Sequence, residues 1–186
     1  MKRSQIILLI GMFAVLGVGR VYAMESEGSG GKGVNIRVNP LGLVLGSLSG
    51  DVDFRVSDKV TVGPSIGYLS ANFLFAELSG LGIGVRANYY LSGDAMNTGW
   101  YVGPSAGLSV VSVRALGSQG SQAGMYIGTV VGRQWVWENG LNVNLAFGAS
   151  WYSNGDTIQA DNGGTISVPF YHGFQPSGEI SLGYAF

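Results

Sequence analysis

No cysteine occurs anywhere in the chain, which excludes a disulfide framework, a thiolate metal site and a lipid-acceptor cysteine at an export cleavage point. Histidine occurs once, at His172, so imidazole-based chemistry has a single candidate. Charge is scarce, at 11% of residues, while 46% are hydrophobic. Such a composition points to an apolar environment. Yet beyond the leader no run approaches the ~20 consecutive apolar residues that a spanning helix needs. Gly, Ser, Asn, Asp or Arg breaks the apolar pattern at every second or third position. High hydropathy without long apolar runs is what a membrane β-barrel predicts.

The first segment reads as an address label. Lys2 and Arg3 form a positive region, residues 6–18 an apolar one, and Val21, Tyr22 and Ala23 a small-residue cleavage site, together a secretory signal peptide over 1–23. Residues 24–33 are polar and Gly/Ser-rich, a flexible periplasmic lead-in. After cleavage seven basic residues face 11 acidic ones, a formal charge of −4. Without a basic patch to displace counterions from phosphates, nucleic acid is not expected as a partner.

From Val34 onward the period is two. Leu141, Val143, Leu145, Phe147, Ala149 and Trp151 alternate with Asn142, Asn144, Ala146, Gly148 and Ser150, so one face is apolar and the other small or polar. The same alternation marks residues 52–56, 60–68, 81–91, 100–110 and 179–186. Eight strands are predicted, over 34–46, 50–56, 60–70, 80–91, 100–114, 124–137, 141–153 and 172–186. Two are irregular. In the first, the apolar parity shifts to Leu41, Leu43 and Leu45, and a bulge near Pro40 would restore the register. In the sixth, Arg133 shares the parity of Ile127, Val131 and Trp135, which requires a bulge near Gly132 or an arginine that snorkels to the surface.

Residues 57–59 and 138–140 read as tight turns, the latter carrying the Asn139-Gly140 hairpin signal. Residues 72–79, 115–123 and 154–171 read as longer loops on the opposite side, as outer-membrane barrels require. Residues 46–49 are short for such a loop, and 92–99 are long for a periplasmic turn. Within hydrocarbon a sheet leaves no edge, because an unsatisfied amide there costs several kcal/mol. The fold class expected is therefore all-β, a closed antiparallel up-and-down transmembrane barrel of eight strands over 34–186; a soluble sandwich or soluble barrel is the competing architecture. Aromatic placement favours the membrane, with Tyr89, Trp100, Trp135 and Trp137 at one set of strand ends and Tyr68 and Trp151 at the other, like two interfacial girdles.

In these features the chain resembles the small outer-membrane barrels of the OmpA, OmpX and OmpW type. Its ending, with Ile180, Leu182, Tyr184 and a terminal Phe186 at alternate positions, resembles the signal read by the barrel-assembly machinery. The resemblance implies location in a Gram-negative outer membrane, with membrane lipid and lipopolysaccharide around a monomer and the assembly machinery as partner during biogenesis.

An eight-stranded barrel is wide enough only for its own side chains or one small ligand. Arg37, Asp53, Arg55, Arg86 and Glu179 take the inward parity, and buried charges need partners. A structural ion-pair plug is the plain reading, with Arg86 paired to Asp53 or Glu179; a charge gate is what similarity to OmpA-like barrels would add. Trp151-Tyr152-Ser153-Asn154 looks like a lipid A deacylase motif, but Trp151 stands where the catalytic His belongs, leaving Ser153 without its base. His172 with Asp156 or Asp161 is the remaining enzymatic arrangement. Those two aspartates lack the oxygen spacing of a calcium loop. No cofactor or metal is expected. The expected function is a non-enzymatic structural or surface-interaction role, against a narrow channel or carrier for a small or apolar solute and, third, a lipid-modifying enzyme.

Overall fold

A computed structural model describes residues 32–40, 42, 46–73, 76–115, 117–167 and 172–186. Ten strands lie among them: β1 (Val34–Asn39), β2 (Ser47–Arg55), β3 (Val60–Phe73), β4 (Ala76–Tyr90), β5 (Gly99–Ala115), β6 (Ser118–Val136), β7 (Leu141–Tyr152), β8 (Thr157–Gln159), β9 (Thr165–Ser167) and β10 (Gly173–Ala185). Eight of them close into an antiparallel barrel in the order β1, β10, β7, β6, β5, β4, β3, β2, while β8 and β9 form a separate hairpin. The seam pairs Asn35 with Ala185 through Val38 with Leu182. Below it the Gly33 and Val34 amides donate to the Phe186 carbonyl at 2.8 and 3.0 Å, so the expected flexible lead-in gives way to ordered backbone by Gly33.

Alternation fixes which face each residue takes. Ile83, Val85, Leu108, Ile127, Phe147 and Leu182 point outward and are half or more exposed, up to 65% for Phe147. Asn35, Asp53, Thr61, Asn88, Gln134 and Asn144 point inward and are buried. This inverts the water-soluble arrangement of the competing sandwich, which hides its apolar face between sheets. On β5 the outward apolar set runs from Trp100 to Val110. Ten steps of ~3.3 Å at a tilt of ~40° give a band about 25 Å tall, the height of an outer-membrane hydrocarbon belt.

Above Val110 the faces exchange character. Val111 and Val113 point inward at 1% and 7% exposure, while Arg114 is outward and exposed. No bulge accompanies the switch, since β5 and β6 pair continuously from Gly99↔Gln134 to Ala115↔Ser118. Those valines, with Leu78 and Ala115, pack under Ile158 of β8 and Ile166 of β9, making a small second core at the end of the barrel remote from Gly33 and Phe186.

Several expected boundaries change. The first strand stops at Asn39 rather than 46, because Pro40 brings no N–H to the ladder; Leu41, Leu43 and Leu45 lie outside the described residues, as does the proposed cleavage after Ala23. The second strand begins at Ser47 and pairs Leu48 with Tyr68. Residues 72–79 and 115–123, expected as loops, are largely strand: β3 and β4 pair as far as Phe73↔Ala76, and β5 and β6 to Ala115↔Ser118. The β6 segment there, Ser118 to Ala123, carries no apolar alternation, and its pairing with β5 overrides its weak intrinsic preference. The 154–171 loop carries the β8–β9 hairpin. No bulge occurs near Gly132; Arg133 stays outward, its guanidinium 5.7 Å from the Trp100 ring and 5.2 Å from that of Trp135. The Asn139-Gly140 turn forms with Gly140 at φ +92° and its amide donating to the Trp137 carbonyl.

Candidate functional site

The lumen is built in tiers from the end that holds Gly33 and Phe186. At the bottom the 92–98 connection folds inward as a stopper. Ala95 and Met96 are fully enclosed, and Met96 sits at φ +64°, a left-handed conformation that a methionine adopts only when its surroundings impose it. Those surroundings are specific: the Ala95 amide donates to the Asp58 carbonyl at 2.7 Å, Lys59 Nζ lies 3.5 Å from Asp94, and Thr98 Oγ1 accepts from the Val136 amide at 2.9 Å. Directly above, the Tyr90 and Tyr101 rings stand 5.8 Å apart, and the Tyr90 hydroxyl donates to Gln134 Oε1 at 2.9 Å.

The next tier is charged. Arg37, on the short β1, is 1% exposed and directs Nε to Asp53 Oδ2 at 3.0 Å, with Asp51 at 3.8 Å and Glu179 at 4.0 Å. Arg86, on β4, crosses the lumen to Glu179 Oε2 at 2.8 Å and Asp51 Oδ2 at 3.3 Å. Neutral amides and a hydroxyl add further donors to Asp53 and Glu179. Asn88 Nδ2 donates to Asp53 Oδ1 at 2.9 Å, and Asn144 Nδ2 and Ser181 Oγ both donate to Glu179 Oε1 at 3.1 Å. Five strands thus contribute to one cross-section, so the cluster ties the sheet across its diameter. Taking an ion out of water costs several kcal/mol, and only this density of partners offsets that cost.

Of the expected lumen charges, Arg37, Asp53, Arg86 and Glu179 meet here. Arg86 takes Glu179, as one of its two expected partners, whereas Asp53 belongs to Arg37. Arg55 does not join: at the strand end it turns to Asp58, 2.9 Å away and itself largely exposed. Asp51 joins in its place. It has the same parity on β2 as Asp53, so the alternation that singled out Asp53 and Arg55 marks Asp51 equally.

Above the charges serines, tyrosines and a few aliphatic side chains line a half-open cavity of about 360 Å³. Around the outside, Tyr89, Trp100, Trp135, Trp137, Tyr184 and Phe186 ring the terminal end, with Tyr68, Trp151 and Phe174 toward the other. Ile180, Leu182, Tyr184 and Phe186 all face outward, the last two with rings 5.7 Å apart.

The residues of the enzymatic readings are dispersed in other tasks. Ser153 Oγ accepts from the Met125 amide at 2.8 Å, Asp161 Oδ1 accepts from the Gln119 amide at 3.2 Å, and exposed His172 offers its carbonyl to Gln175 Nε2. Among the described residues no group of three or more His, Asp or Glu is arranged to hold a metal.

Comparison with known proteins adds little chemistry. No curated protein matches the chain. A solved structure, the crystal structure of Acinetobacter baumannii CarO, aligns with a TM-score of 0.41 and 11% identity, covering 83% of this chain and 97% of that one. Residues 13–163, most of the barrel, match the family described as protein of unknown function (DUF3575), and the chain belongs to that family.

Proposed function

We propose that this protein is an integral barrel of the Gram-negative outer membrane, exported by a signal peptide cleaved near Ala23, sealed through its lumen and serving a structural or surface-interaction role without enzymatic activity. The observation that carries the reading is the outward apolar band. Soluble monomers rarely expose contiguous apolar patches beyond a few hundred Å², whereas here every barrel strand presents such residues, and the band has the height of a bilayer core. Hydrocarbon is the environment that such an exterior with a polar interior requires. The resemblance to OmpA, OmpX and OmpW barrels supports the same location, with lipid and lipopolysaccharide around a monomer and Ile180, Leu182, Tyr184 and Phe186 as the element read by the assembly machinery.

The sealed lumen rests on two stacked obstructions, the Ala95–Met96 stopper and the Arg37/Arg86 ion-pair tier. A carrier role for a small solute is the second reading, supported by the cavity above the tier and opposed by the obstruction below it. The experiment joins two measurements. Purified mature protein is run on a detergent gel with and without boiling, and its conductance is recorded in planar bilayers. A heat-dependent mobility shift with no resolvable conductance is expected. Identical mobility, together with failure to partition into vesicles, overturns membrane insertion; steady conductance overturns the sealed lumen and favours passage.

A further inference from the structure

The cavity above the ion-pair tier has a floor whose charges do not balance. Two guanidiniums, Arg37 and Arg86, face three carboxylates, Asp51, Asp53 and Glu179, leaving one formal negative charge inside the barrel. The surplus is not evenly spread. Asp53 lies away from the cavity, held by Arg37 and Asn88, whereas Asp51, Glu179 and Arg86 line it. Arg86 is the one arginine in the cavity lining, while Arg37 reaches the Asp51 and Glu179 carboxylates only from behind, at 3.8 and 4.0 Å.

The walls also carry hydrogen-bonding capacity that the protein leaves unused. Ser177 Oγ, on the cavity wall, is enclosed and has no hydrogen-bond partner among the described residues. Ser105 and Ser150 line the cavity as well. The open volume is a consequence of glycine placement: a Cβ added at Gly82 would meet no atom closer than 3.9 Å. At Gly107, one step along the lumen, a Cβ would instead run into the Tyr126 ring, so there glycine serves packing and not space.

From this geometry we infer that the upper lumen is a binding site for a small organic monocation carrying hydroxyl or other hydrogen-bonding groups, its ammonium or guanidinium facing, from the cavity side, the Asp51 and Glu179 carboxylates that Arg86 bridges. The volume lies at the small end of ligand sites, which run ~300–1,000 Å³. Most such sites are apolar; this one mixes serine and tyrosine hydroxyls with aliphatic residues such as Leu69 and Val130, which suits a guest with a polar head and a short carbon chain. A narrow cavity in low-dielectric walls focuses the field of its floor, so the surplus charge selects cations and repels anions of the same shape. This site concerns the lumen alone and goes beyond the structural role proposed above.

The test uses an isosteric series, 4-aminobutanol, 1,4-butanediol and 4-hydroxybutyrate, titrated calorimetrically into the folded mature protein in detergent. The cation is expected to bind saturably, at least tenfold tighter than the neutral or anionic analogue. Asp51→Asn balances the floor and Gly82→Leu fills the space without touching a charge; each is expected to remove that preference, while Glu77→Gln on the outer surface leaves it intact. Heat-dependent mobility of every variant verifies the barrel separately from binding. Equal affinity across the series, or a preference for 4-aminobutanol that survives both Asp51→Asn and Gly82→Leu, overturns the site.

Discussion

The barrel has two interiors built on opposite chemistry. Between the membrane-height band of outward apolar residues the inside is polar, dominated by Arg37, Arg86 and their carboxylates. Beyond Val110 the outside is polar and the inside apolar, with Val111, Val113, Leu78 and Ile158 in contact. One continuous pair of strands, β5 and β6, passes through both regions without a register change. The side of the sheet that must be polar is thus set by what surrounds it. In lipid the exterior is satisfied by hydrocarbon and the interior is held together by ion pairs; in water the exterior is polar and the interior is held together by the hydrophobic effect.

The sharpest way to break this contrast is to remove a lumen charge. Arg37→Met strands Asp53 and part of Asp51 in a fully enclosed site, and removing one partner of a buried pair costs about 3–5 kcal/mol. Denaturant titration of the protein in micelles is expected to show that loss as a lowered midpoint of barrel unfolding. Ile158→Ala attacks the other interior: truncating a buried isoleucine costs about 2–5 kcal/mol. The cost here falls on the hairpin alone, so hydrogen exchange of the 157–167 backbone should accelerate while heat-dependent mobility is retained. If Ile158→Ala lowers the global midpoint as far as Arg37→Met does, the two interiors are one cooperative core and the contrast fails.

A third substitution pair locates the boundary between the regions. Val85→Arg places a charge in the middle of the outward band and is expected to destabilise by ~2–4 kcal/mol, whereas Ser112→Arg, above the Val110–Val111 switch, should cost under ~1 kcal/mol. Equal costs would remove the membrane boundary from this level of β5. The smallest effect belongs to Arg114→Met. Its partner Glu77 is 3.6 Å away, both side chains are more than half exposed, and such pairs contribute under ~1 kcal/mol. The unfolding midpoint of this variant should lie close to that of the parent.

Much of this was legible in the sequence because alternation is a local signal. The outward faces of β3, β4, β5, β7 and β10 follow from period two alone, and so does the inward direction of Arg37, Asp53, Arg86 and Glu179. Partner choice was less legible, since it depends on how far each residue stands from its strand end. Asp51 and Arg55 share parity with Asp53, but one reaches the tier and the other the rim, and only the stagger of the sheet separates them. The second core was hidden for a different reason. Val110 and Val111 stand side by side in the chain, which breaks a single-environment alternation, and the doublet gains meaning only when the surroundings change partway along the strand. The inward fold of 92–98 left even less trace, because its enclosed members, Ala95 and Met96, sit among polar turn residues.

That stopper has a mechanical corollary. It spans only seven residues between adjacent strands, with Lys59, Asp58 and Val136 gripping it from both sides. A tether so short has no slack, so the obstruction is unable to swing clear like a ball on a chain. Any opening at this level of the lumen would have to come from rotation of Tyr90, Tyr101 and Met96 in place, a passage no wider than one side chain's shuffle, with the ion-pair tier above still to be parted.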